Sequence, residues 1–327
     1  MYFNKDNNFY HGIMFHHFHD DKIHKNSPGS ISKDELLKII NFIGKKNILD
    51  ADIFFDKFTK KKLSEQEVCF TFDDGIKSQI DVALPVLEDF KIKSFFFIHT
   101  AIFEGKPDNL EIFRYFRSNF FNSHEEFYKA FYKILNEQKE LEKYFHLNKE
   151  VIKHKKDKFP FYTNEDIKFR LVRDDYLTLK GYEKVVFEVM KDKNFNPEDH
   201  LSNLFFNKDN LILLNSLGHQ IGLHSHNHST LIEKLSYEEQ NFEYQTSINT
   251  ISKILKKNKN EIKYMSHPCG SYNNNTLEIL KDLGIELGFK QIMEIEAEKG
   301  MKKINNSNLE VARQDHVHIL NMIKNLV

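Results

Sequence analysis

Two short stretches carry residues that can do chemistry together. In "CFTFDDG", residues 69–75, an apolar run of strand character stops at two adjacent carboxylates, Asp73 and Asp74, and a glycine. In "GLHSHNHSTL", residues 222–231, His224 and His228 stand four apart with His226 between them. Two imidazoles at that spacing can reach one ion from a strand end and the turn after it. A carboxylate, Asp74 or Asp73, would then complete a set of two histidines and one aspartate that leaves positions open for water, as catalytic divalent sites do. Three histidines in a polar loop, in a chain with 17 His, are as well explained by solvation when taken alone. The paired carboxylates after a second strand weigh against that reading.

Such convergence needs elements that bring distant strand ends to one place. Predicted strands at "GIMF" (12–15), "VCFTF" (68–72), "HQIGL" (219–223) and "IKYMS" (262–266) are each followed by a polar cluster: His16 and His17, Asp73 and Asp74, His224 to His228, and His267. In a parallel barrel the C-terminal strand ends share one face, where such folds keep their active sites. Further strands are expected at "KSFFFI" (93–98) and "IELGF" (285–289). The intervening helices announce themselves by capping boxes, Ser32 with Glu35 (start expected at Lys33, with Ile31 stapled against Leu36) and Ser236 with Glu239. This alternation favours a parallel α/β architecture.

The rhythm lapses between about residues 105 and 210. There "SHEEFYKAFYKILNEQKELEKYF" reads as one amphipathic helix opened by a capping box of Ser123 with Glu126. The domains are therefore expected as 10–104 and 211–327 for the barrel, with a mostly helical insertion at 105–210. Its lysine-rich middle reads as a solvated face. Its "FPFY" (159–162) and its Arg170 and Arg173, three apart, could flank a ring and pair with phosphate, although packing and surface charge explain them too.

Composition excludes several classes. The chain has 327 residues, 40% hydrophobic and 29% charged, with a formal net charge of -1, which argues against disorder and against nucleic acid as a partner. Two cysteines, Cys69 and Cys269, are too few for a disulfide framework. Without an evident signal segment or a run of about 20 apolar residues, the expectation is a cytoplasmic protein with no transmembrane segment.

Together, "CFTFDDG", "GLHSHNHSTL" and "YMSHPCGSYNNNTLEIL" resemble, in order, the first three motifs of the polysaccharide deacetylase family (carbohydrate esterase family 4, the NodB-homology domain). The resemblance covers roughly residues 10–104 and 205–320. It implies a distorted (β/α)7-type barrel and a divalent metal, usually zinc, held by Asp74, His224 and His228. It further implies that Asp73 acts as general base and that a backbone N–H near Cys269 stabilises the oxyanion. The third motif departs from the common pattern, with Ser266 and His267 where an arginine is usual and Cys269 where an aromatic is usual. The segment "LEVARQDHVHIL" resembles that of variant members, so Arg313 is expected to orient Asp73 and Asp315 to orient a histidine, with His316 or His318 as general acid. His16 or His17 is expected at the site rim or in the core. The family's tryptophan motif is absent, the chain having no Trp.

The expected function is metal-dependent removal of acetyl from an acetamido sugar, nucleotide-linked, lipid-linked or a glycan precursor, in surface polysaccharide biosynthesis. A same-fold amidohydrolase acting on a small non-sugar amide and a non-catalytic carbohydrate-binding relative are the alternatives. The last is disfavoured because binding alone has no use for a base beside the ligand carboxylate.

Overall fold

The structure is a computed structural model that describes residues 11–20, 22–64, 66–106, 108–158, 162–291 and 307–325. It divides into two compact units, 1–108 with 202–327, and 109–201. In chain order the first unit begins with β1 (His11–Phe15), α1 (Lys33–Ile43), α2 (Ala51–Thr59), β2 (Val68–Phe72), α3 (Leu84–Asp89) and β3 (Phe95–Ile98). The second holds α4 (Asn109–Asn119), α5 (His124–Leu135), α6 (Gln138–Leu147), α7 (Lys149–Lys158), α8 (Asn164–Leu171) and α9 (Leu179–Asp192). After a short α10 (Leu201–Leu204), the first unit resumes with α11 (Lys208–Ser216), β4 (Gln220–Leu223), α12 (Tyr237–Leu255), β5 (Tyr264–Ser266), α13 (Asn274–Asp282), β6 (Leu287–Phe289), β7 (Ala312–Asp315) and α14 (His316–Lys324).

The seven strands pair in parallel in the order β6-β5-β4-β3-β2-β1-β7. The outermost strands meet as well: Phe289 bridges Val311, and Lys290 N donates to Val311 O at 2.8 Å. The sheet thus closes into a distorted (β/α)7 barrel. Successive strand residues face opposite sides, so Phe96 and Ile98 of β3 join the shell under the helices while Phe95 and Phe97 point inside. The interior is aromatic, with Phe95 and Phe289 packed on Phe54 of α2, Tyr264 on Phe95 and Phe97 on Phe289. Gly222 lets strands approach here, since a Cβ would meet Tyr264 O at 2.5 Å and the Phe97 ring at 2.7 Å. Nearer the C-terminal strand ends the inward positions turn polar, and Thr71, Ser266 and Arg313 are all buried. One barrel therefore has a hydrophobic floor and a polar layer above it.

The capping boxes at Ser32 and Ser236 form in full, and α1 starts at Lys33. The one at Ser123 forms by half: Ser123 Oγ accepts from Glu126 N at 3.2 Å, but the Glu126 carboxylate accepts from Asn122 N instead. The single helix expected over 123–145 is broken into α5 and α6 where Asn136 adopts φ 53°, a left-handed C-cap that asparagine tolerates. The second unit has its own core, in which Phe113, Phe116, Phe127, Phe131, Phe169 and Tyr182 are buried. The lysine-rich stretch forms α7, no described side chain of which is buried. Of "FPFY", residues 159–161 lie outside the described residues and only Tyr162 is placed.

Candidate active site

At the end of β2 the chain turns sharply, with Asp74 at φ 76° and Gly75 at φ 68°. A Cβ on Gly75 would also lie 3.2 Å from Ile98 Cγ2, so both the angle and the space call for glycine. The turn sends two buried carboxylates different ways. The wide helical turn that follows, Gln79–Ala83, buries Gln79, whose amide donates to the carbonyls of Asp73 at 2.6 Å and His16 at 2.9 Å and ties the ends of β1 and β2 together.

Asp74 meets the two histidines. Its Oδ1 lies 3.1 Å from His224 Nε2 and 3.2 Å from His228 Nε2, and all three residues are buried. The ligand atoms offered by Asp74, His224 and His228 lie within 4.8 Å of one another. His224 Nδ1 is 2.9 Å from Ser266 O, which can only accept, so Nδ1 carries the hydrogen and Nε2 a lone pair. His228 Nδ1 likewise faces Asp108 Oδ2 at 2.6 Å. Asp74 Oδ1 is buried without a properly formed hydrogen bond. Lone pairs thus converge on one point, and a carboxylate behind a ligating imidazole is the usual support for a bound metal. His228 has its proton affinity raised well above the ordinary histidine range, because the charges of Asp74 and Asp108 outweigh burial, which acts the other way. A pocket with that appetite for positive charge fits a divalent cation.

The loop carrying these histidines is held in an unfavourable shape, with Ser225 at φ 60° and His228 at φ 55°. Buried Glu243 of α12 fixes it by accepting from His226 N at 2.9 Å, Asn227 N at 2.8 Å and Asn227 Nδ2 at 2.6 Å. His226 turns away, its Nδ1 2.9 Å from Thr100 Oγ1.

Asp73 belongs to a second, adjoining network. Arg313 Nη1 and Nη2 each donate to one of its oxygens at 2.7 Å, and Ser266 Oγ donates to Oδ2 at 3.1 Å. Arg313 is itself 1% exposed and is held by Lys290 O (2.6 Å from Nε), Ser266 Oγ (2.8 Å) and Thr71 Oγ1 (3.3 Å). Burial pushes the Asp73 carboxyl up, but Arg313, with His224, overrides it and holds the group below its usual range. Both oxygens stay ionised and fixed in direction.

Two expected acids are elsewhere. His316 is buried against Phe15, with Nδ1 3.1 Å from Met14 O and Nε2 3.0 Å from Gly29 O, so both nitrogens are turned to backbone carbonyls, to one of which the neutral ring donates, and neither is turned to a leaving group. Asp315 caps α14 through Val317 N at 2.8 Å, and His318 is exposed on that helix. The histidine that faces the carboxylates is His16, after β1, with Nε2 3.9 Å from Asp73 Oδ2 and 3.9 Å from Asp74 Oδ2. Its side chain is 22% exposed, and His17 stacks on it. Neither thiol is activated: burial pushes Cys69 well up, and Cys269, though exposed, is raised by partial loss of hydration and by nearby carboxylates. Asp108 and Glu243 had no sequence signal, the one lying in a connection and the other being one of three glutamates on α12.

The model of the family described as polysaccharide deacetylase matches residues 117–288, just over half of the chain. The chain belongs to the polysaccharide deacetylase family. Members are hydrolases of amide C–N bonds, and so is this chain. The matched span takes in His224, His228 and the Ser266–Cys269 turn; Asp73, Asp74 and Arg313 lie outside it. No curated protein matches. Among solved structures, the chain is similar to a de-N-acetylase from Aggregatibacter actinomycetemcomitans (14% identity, TM-score 0.54, covering 97% of this chain and 99% of that one). It is also similar to IcaB from Ammonifex degensii (13%, 0.52, 94% and 91%) and to the Streptococcus pyogenes deacetylase PplD in complex with acetate (15%, 0.51, 95% and 96%). At these identities the likeness is one of fold. Among the described residues no helix is long and apolar enough to cross a membrane.

Proposed function

We propose that this polysaccharide deacetylase is a divalent-metal enzyme, zinc being the first choice, that removes acetyl from an acetamido sugar in surface polysaccharide biosynthesis. The observation that carries the reading is the division of labour between adjacent aspartates: Asp74 shares a cation-ready point with His224 and His228, while Asp73 is tied to Arg313 and kept off that point. When bound, the ion supplies Lewis acidity toward water and toward the amide carbonyl. The chain's own groups do the rest. Asp73, ionised and immobile, accepts the proton of the attacking water, and Arg313 with Ser266 fixes the direction in which it does so. His16, within reach of both carboxylates, returns a proton to the departing amine. The Cys269 N–H is the proposed donor to the carbonyl oxygen as it gains charge.

The substrate proposed is an N-acetylated sugar joined to a nucleotide or lipid carrier, or a glycan precursor. A cytoplasmic setting for such carriers fits the two free cysteines. The test is acetate release by the purified full chain from a panel of nucleotide-linked, lipid-linked and oligomeric N-acetyl sugars, with a small acetanilide alongside. Turnover of the sugars above the small amide supports the reading. Turnover of the small amide alone would move the chain to an amidohydrolase of non-sugar substrates.

A further inference from the structure

The second unit gathers four arginines, of which Arg117 and Arg170 have no ion-pair partner among the described residues. Arg114 and Arg117 lie on α4, Arg170 near the end of α8 and Arg173 in the wide turn that follows it. All four are half-buried. The Arg117 guanidinium lies 5.9 Å from the centroid of the Phe127 ring and 5.8 Å from that of Phe169, and the Arg170 guanidinium sits 4.0 Å from the Tyr162 centroid. Burial, and then the neighbouring charges of Arg173 and Arg117, loosen the hold of Arg170 on its proton, so these groups repel one another.

Two of the acids nearby are committed. Asp174 is chelated by Arg173, at 2.5 Å through Nε and 2.9 Å through Nη2. Asp166 accepts the Tyr128 hydroxyl at 2.6 Å and caps α8 through Thr163 N at 2.8 Å. Among the described residues no carboxylate lies within ion-pair distance of Arg117 or Arg170. Buried Arg117 Nε makes no hydrogen bond, nor does buried His124 Nε2, whose ring lies in the field of Arg117 and Arg114.

A guanidinium held near aromatic rings is not hydrogen-bonded by them and keeps N–H groups for a partner. Two such guanidinium groups from different helices, with like charges around them, call for one acceptor that carries more than a single charge and offers oxygens in several directions. A tetrahedral dianion does this; a carboxylate satisfies one fork and leaves the other. The sequence alone pairs Arg170 with Arg173. The structure re-pairs it, since Asp174 takes Arg173 and the open partner is Arg117.

We infer that Arg117 and Arg170, with His124 beside them, form a binding site in the second unit for a phosphate-class dianion, either bare or as the phosphoryl group of a larger molecule whose ring the aromatic side chains can flank. This site does not depend on the deacetylase reading and is tested without turnover. The full chain in chloride buffer is titrated calorimetrically with inorganic phosphate, a sugar 1-phosphate and a nucleoside diphosphate sugar, and the same is done with Arg117→Gln and Arg170→Gln after their folds are checked by circular dichroism. Saturable binding is expected, weakened about tenfold or more by either substitution. Equal affinity for all three probes identifies a site for bare phosphate, and tighter binding of the larger two a site for a phosphorylated ring; both uphold the inference. If Arg117→Gln does not fold, Arg170→Lys, which keeps the charge and loses the fork, is expected to bind more weakly than the parent. No saturable binding of any probe, or binding unchanged in the substituted chains, overturns it.

Discussion

Arg313 in the barrel and Arg117 in the second unit are the same side chain under opposite terms. Arg313 is buried and finds a partner in every direction: two carboxylate oxygens, a backbone carbonyl and two hydroxyls. Arg117 has two aromatic rings beside it and, among the described residues, no carboxylate, with a buried Nε left over. A network with every donor satisfied is finished machinery, rigid before any ligand arrives. A charge cluster left open is set up to be completed from outside. The comparison separates what this enzyme prepares in advance from what it holds ready for a ligand.

The largest effect is expected where the finished network meets chemistry. Asp73→Asn keeps the shape but removes the proton acceptor, and acetate release should fall about 10²–10⁴-fold with metal content unchanged. Full turnover in that variant would assign the base to another group. Next come matched arginine replacements, read by urea unfolding. Arg313→Met strands a buried carboxylate and should cost about 3–5 kcal/mol, whereas Arg117→Met relieves repulsion and forfeits only stacking, about 1 kcal/mol or less. Comparable losses at both positions would dissolve the distinction. Asp108→Asn weakens the support behind His228 and should lower metal affinity about 10–100-fold, by competition with a chromogenic chelator.

A further effect concerns acid. Burial lowers His219 to about 4 and His267 to about 3, both below the ordinary 6.5. Each is neutral when folded while the unfolded chain takes up its proton near 6.5, so stability is full above that pH and declines as pH falls toward 4. The slope should approach about 1.4 kcal/mol per pH unit for each histidine. Urea midpoints at pH 7 and pH 5 measure it, and His219→Gln should flatten the decline.

What the sequence revealed follows from which interactions are local. Strand ends that stop at Asp73 and Asp74 or at His224 break a hydrophobic pattern, and the break is visible in one dimension; the caps at Ser32 and Ser236 are likewise written within four residues. Asp108 and Glu243 support the histidines from far along the chain, and nothing in their neighbours marks an acid that turns inward. His16 and His316 both follow strands, β1 and β7, and only the packing of His316 between Met14 O and Gly29 O decides which one faces the carboxylates. Asn136 divides α5 from α6 by a left-handed backbone angle that the apolar period runs straight across.

The central claim is that neighbouring aspartates have different tasks, and metal content measures it most directly. Wild-type chain, Asp73→Asn and Asp74→Asn are dialysed against zinc, desalted and assayed by plasma mass spectrometry, with folding checked in parallel. The expected result is one ion per chain in the wild type and in Asp73→Asn, and loss of that ion in Asp74→Asn. Retention by Asp74→Asn together with loss in Asp73→Asn, or a wild-type chain that holds no divalent ion, would contradict the assignment.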